Sequence, residues 1–350
     1  MERIAVLFRN NSGARPNPVK GFYIALAMFL PLLVLTMLGQ RALGALVMTG
    51  ALLTSFGDVG ASSRTQAWSL GITAVGGALM TALGRLIGGP WWGEVVEIFL
   101  AVFISGLLSV YGRAAAVMGL LLTISFVLSL ANRNSGPATA LPASGGFLLG
   151  GVILMLFALL FARLPSHQRS PSNEARPNRQ QLRLTTLTAQ LTLTSPLLRF
   201  SLLRAVGAAV AAGSGWIWGE PPFYWAALTV IIYAQQNQKV SLMKALQNVV
   251  ATFLGALLAG ALIAGVQNAF VLKLIVVVIT FLAFTVKDLN DLLYFFFFTI
   301  LILLLISIAT SGQSFAVWRV VTILVGAGIV LVIAFLGQMP FFEEGKIISP

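Results

Sequence analysis

The polar side chains able to do chemistry in this sequence are few, and they gather at the ends of apolar runs. The densest group is Gln235, Gln236, Asn237, Gln238 and Lys239, with Lys244 five residues on. It follows an apolar run of about twelve residues, 223–234, which opens on an aromatic belt, Phe223, Tyr224 and Trp225. At 1.5 Å per residue such a run covers about 18 Å, short of the ~30 Å hydrocarbon core of a bilayer. A short apolar segment that ends in amides and lysines therefore predicts a solute site within the membrane profile. Arg64, Arg199 and Arg204 flank the other short runs and extend the cationic set. Cations, amides and rings together suit a carboxylate attached to an apolar ring. Asp58 ends the short run of the first half and is the first candidate for proton coupling. Asp288 and Asp291, beside Lys287, are the others.

Other chemistries find no residues. There is no cysteine, and the single histidine, His167, lies in a polar linker. Thiolate metal sites, disulfides and histidine-based triads are thereby excluded. No Gly-x-x-x-x-Gly-Lys-Ser/Thr is present, so ATP hydrolysis by this chain is not expected, and neither a cofactor nor enzyme activity is predicted.

These residues must be positioned by membrane helices. Of 350 residues 58% are hydrophobic and 9% charged, where soluble domains carry about 25% charge. The fold class expected is all-α: a polytopic membrane protein of about twelve transmembrane helices in two parallel six-helix repeats. Apolar runs lie at about 22–38, 42–56, 68–88, 93–110, 114–131 and 145–161. Six more lie at about 200–218, 223–234, 245–266, 270–286, 292–309 and 315–337. Residues 1–163 form the first repeat, with an interfacial segment at its start. Residues 164–194, rich in Pro, Arg, Ser and Gln, read as a cytoplasmic linker, and 195–350 form the second repeat.

Matching landmarks support the repeat. Pro18 and Pro196, Arg64 and Lys244, and Thr73 and Thr252 are 178, 180 and 179 residues apart. Thr73 and Gly76, like Thr252 and Gly255, form a Thr-x-x-Gly suited to close helix packing. An even number of spans per half makes the repeats parallel. With the N-terminus inside, 17 of the 22 Lys and Arg residues fall on inner segments. That bias places both termini and the linker in the cytoplasm. The net charge of +12 is explained by this orientation, and no nucleic-acid partner is expected.

The second half resembles a known family. Ser195–Arg204 (SPLLRFSLLR), Tyr224–Val230 (YWAALTV), Lys244 and Ala251–Ala256 (ATFLGA) are similar to the fusaric acid resistance and aromatic acid exporter superfamily of integral membrane transporters. Ala251 and Asn248 stand where that family often has Gly and Arg. The resemblance implies export of small organic anions, often aromatic carboxylates, across the bacterial inner membrane, and a secondary exporter driven by the proton gradient is the function expected. A homodimer is the default oligomer expected, and a separate periplasmic adaptor is the candidate protein partner. An anion channel lined by the same cations, and a non-transporting envelope or scaffold protein, are the alternatives.

Overall fold

A computed structural model describes residues 15–58, 63–87, 90–130, 136–162, 195–218, 224–234, 238–266, 268–309 and 315–336. The interfacial segment and the linker expected above lie outside these residues. The described residues form twelve α-helices and no strand. In the first half they are α1 (Pro18–Met37), α2 (Arg41–Phe56), α3 (Ser63–Ile87), α4 (Trp91–Leu107), α5 (Arg113–Leu130) and α6 (Pro137–Phe161). In the second they are α7 (Pro196–Trp218), α8 (Tyr224–Tyr233), α9 (Gln238–Gly265), α10 (Ala269–Val286), α11 (Asp291–Ala309) and α12 (Phe315–Leu336). A bilayer explains why helices are the only element, since hydrocarbon cannot satisfy free backbone polar groups. Seven of the helices are long and apolar enough to cross a membrane, and five are shorter. Leu79, Trp92, Ile104, Leu257 and Phe335 are all more than half exposed, as expected of surfaces that face lipid. The chain is an all-α, multi-pass membrane protein.

Two helix starts differ most from the sequence reading. α6 begins at Pro137 instead of 145, because a proline is well placed at the first helical position. α9 begins at Gln238 instead of 245. Gln, Lys, Leu and Met are good helix formers, so Lys239 and Lys244 stand on the first turns of a helix and not in a loop before it.

The main packing pairs of the two halves correspond. α1 packs on α2 and α6, as α7 does on α8 and α12. α3 packs on α5 and α6, as α9 does on α11 and α12. The short helices are seated against glycines. A methyl group added at Gly150 of α6 would run into the Val47 carbonyl of α2, and one at Gly326 of α12 would stand 2.8 Å from the Ala226 carbonyl of α8. α2 and α8 therefore approach their partners backbone to backbone.

Between the halves run two corresponding seams, α1 on α10 and α7 on α4. In the first, Gly21 abuts Thr285 and the Phe281 carbonyl. In the second, a methyl on Gly106 would stand 2.6 Å from Ser201 Oγ. Each seam thus sets a glycine against a hydroxyl. Thr285 Oγ1 and Ser201 Oγ are buried with no hydrogen-bond partner among the described residues. An unsatisfied buried hydroxyl costs about 1–3 kcal/mol. Ser201→Ala and Thr285→Val should therefore leave stability unchanged or raise it by about 1 kcal/mol, read as the thermal midpoint in detergent. A clear loss for both would show that these hydroxyls are satisfied in the membrane.

Candidate functional site

One end of the bundle collects the charge: the start of α1, the ends of α2, α6, α8 and α10, and the starts of α9 and α11. Asn17 caps α1 by accepting the Lys20 N–H at 2.9 Å, and its own N–H donates to the Thr285 carbonyl at 3.0 Å. This fixes the first turn of α1 against the last turn of α10. Lys20, although a lysine, is buried, and its Nζ meets Asp288 at 2.9 Å. One turn on, the Tyr23 hydroxyl donates to Asp58 at 3.0 Å. Lys244 pairs with Asp291 at 3.6 Å.

In each half the first helix is tied to the charged end of the short one. In the first half the tie is Tyr23 of α1 to Asp58, just beyond α2. In the second it is Arg204 of α7, whose guanidinium donates to the Ile231 carbonyl in the last turn of α8. The last carbonyls of a helix lack intrahelical donors and carry partial negative charge, so a cation there satisfies both needs.

Aromatic rings bridge these two ends. Phe56 of α2 lies 5.8 Å from Phe284 and 6.0 Å from Phe298. Tyr294 lies 5.5 Å from Phe298 and 5.5 Å from Phe295. Phe295 meets Tyr233 of α8 edge-on at 5.3 Å. Lys287, in the turn after α10, places its Nζ 4.3 Å from the Phe56 ring centre and 5.7 Å from that of Phe284. Such contacts favour a cation held near apolar surface. Burial, together with Lys20, pushes the Lys287 ammonium down to about 7, against the opposing pull of Asp288 and Asp58.

The residues expected at the site divide between the two ends. Arg204, Lys244, Asp58, Asp288 and Asp291 all lie at the charged end, together with half-buried Arg199. Arg64 is exposed on the first turn of α3. Tyr224 and Trp225 do not join them. α8 is a rigid rod, and nine helical steps, about 14 Å, separate Tyr224 from Tyr233. Their rings pack on each other at 5.3 Å, and Arg319 of α12 covers Trp225 at 4.3 Å. Gln235 and Gln236 lie outside the described residues, as does the Lys239 side chain. The packing set sits at helix crossings. Gly76 faces Leu122, Thr73 donates to the Ser69 carbonyl, Gly255 abuts the Phe296 carbonyl, and Thr252 and Thr299 hydroxyls lie 3.2 Å apart.

Sequence reasoning passed over Lys20, Tyr23, Phe56, Phe284 and the run Tyr294–Phe298. A signal was present: Phe284 and Lys287 are three residues apart and so share one face of a turn.

Residues 208–333 match the fusaric acid resistance protein-like family. Neither the curated proteins nor the solved structures give a match. The fusaric acid resistance-like segment runs from within α7 to within α12. It takes in all of α8 to α11, and with them Tyr233, Lys244, Phe284, Lys287 and Tyr294. Lys20, Tyr23, Phe56 and Asp58 come from outside it. The charged end is therefore built jointly by the matched segment and the first half. The match points to membrane transport. Among the described residues no group of His, Cys, Asp or Glu is arranged to hold a metal.

Proposed function

We propose that the chain is a secondary exporter of small organic carboxylate anions, aromatic ones foremost, in the bacterial inner membrane. Both termini face the cytoplasm, and export is coupled to proton entry. One observation carries this reading: both short helices end in a shared cluster of cations, carboxylates and rings between the two halves. Charge at membrane depth is costly and is usually kept for function. A ring-bearing carboxylate matches that cluster in polarity and sign. The corresponding pairings of the halves and the offsets of 178–180 residues support a duplicated six-helix unit. Asp58, at the end of α2 and bonded to Tyr23, is the coupling carboxylate in this reading.

Reconstituted protein, loaded with labelled benzoate and given an imposed pH gradient, tests it. Accumulation against the benzoate gradient, lost in Asp58→Asn, is the expected result. Fast movement that only equilibrates would replace the exporter with a channel. A folded sample that moves no anion would sink transport altogether.

A further inference from the structure

We propose that Lys287, held over the rings of Phe56 and Phe284 where α2, α10 and α11 meet, receives the carboxylate of an aromatic acid at the charged end of the bundle. This rests on the anion-transport reading above and names its binding residue. Neither the family match nor the sequence pattern assigns that role.

The other local charges already have partners. Lys20 is held by Asp288 at 2.9 Å, and Lys244 is paired with Asp291 at 3.6 Å. Asp58 accepts from Tyr23. Lys287 forms no hydrogen bond or ion pair among the described residues; its contacts are the faces of two rings. An ammonium has three N–H donors, and ring faces leave them without an oxygen acceptor. The missing partner is an anion. The ammonium lies over Phe56 and Phe284, and Phe298 and Tyr294 continue the same group of rings, each within 6.3 Å of a neighbour, so the apolar part of an aromatic acid meets surfaces of its own kind. Phe56 belongs to the first half and the other three to the second, so the ligand would lie across the seam. A ligand that touches both halves is able to sense their relative position.

Protonation follows from the same geometry. The charged and titratable groups around Lys287 are Lys20 of α1, Asp58 beyond α2, Asp288 beside it and Tyr294 of α11. Lys20 disfavours the ammonium, whereas Asp58 and Asp288 favour it. A bound carboxylate favours it further, so anion and proton bind together. Affinity should then be greatest below pH 7 and fall as pH rises, roughly tenfold or more between pH 6.5 and 8.5. Arginine does not deprotonate in this range and also stacks on rings.

The test is equilibrium binding of radiolabelled benzoate to the full chain in lipid nanodiscs, with benzamide as the neutral competitor. Wild type should prefer benzoate by tenfold or more. Lys287→Met should lose at least tenfold in benzoate affinity while keeping its thermal midpoint. Lys287→Arg should bind benzoate with a flat profile from pH 6.5 to 8.5, and Lys273→Met should match wild type. Equal binding of benzoate by Lys287→Met and wild type overturns the proposal, as does no preference for benzoate over benzamide. If Lys287→Met does not fold, the arginine variant decides, because a pH slope that persists in it also overturns the proposal. Benzoate binding of the expected kind in a chain that moves no anion would keep this site and remove the export reading. Export with normal binding by Lys287→Met would do the reverse.

Discussion

Replacing Gly150 with alanine is expected to unfold or severely destabilise the protein, by about 3 kcal/mol or more. The added methyl would overlap the Val47 carbonyl and stand 2.7 Å from the Ala51 nitrogen, both backbone atoms of α2. A side-chain neighbour can rotate aside, but a helix backbone moves only as a whole. Gly50 of α2 meets the backbone of Phe147 at the same crossing, so α2 cannot retreat in register either. Gly145, five residues earlier in α6, has nothing within 4 Å of an added methyl. Gly145→Ala should be neutral, or stabilising by up to about 1 kcal/mol, because alanine loses less backbone freedom in a helix. The thermal midpoint and the yield of monodisperse protein in detergent compare the two directly. Equal behaviour would mean that α2 and α6 do not cross at this glycine.

Arg204 should show the opposite pattern, with function lost and stability kept. It is a buried cation whose only described bond is to the Ile231 carbonyl, and its Nε has no partner among the described residues. Desolvating a guanidinium in the membrane interior costs several kcal/mol. One charge-assisted hydrogen bond returns about 1.5–3 kcal/mol. The balance says that Arg204 is not kept for stability. Arg204→Met should retain or raise the thermal midpoint, while anion transport per folded molecule falls at least tenfold. If the variant is instead destabilised and transports normally, Arg204 is a cap for α8 and nothing more.

Composition makes the membrane helices legible, and a ten-residue α8 follows from the brevity of its apolar run. Period and landmark spacing expose the two halves, because duplication leaves offsets that need no three-dimensional knowledge. The site is only half legible. Lys244, Arg204 and the three aspartates stand out as charges among apolar residues. Tyr224 and Trp225 share a short helix with the polar end, yet a rigid helix separates its two ends as firmly as it joins them. Lys20 pairs with a residue 268 positions away, a relation that no local pattern contains. Phe56 and Phe298 look like ordinary span residues until α2 and α11 are seen to meet at the charged end.

The seams between the halves have a consequence for how such a chain could be cut. The first half supplies both glycines, Gly21 and Gly106, and the second both hydroxyls, Thr285 and Ser201. Two copies of the first half would bring glycine to glycine and leave a gap, and two copies of the second would press hydroxyl on hydroxyl. Only unlike halves fit at both places. If the halves descend from one self-pairing ancestor, its symmetric dimer has become an obligate heterodimer held on a single strand of chain. Expressed as separate polypeptides, each half should reject its own kind and select the other.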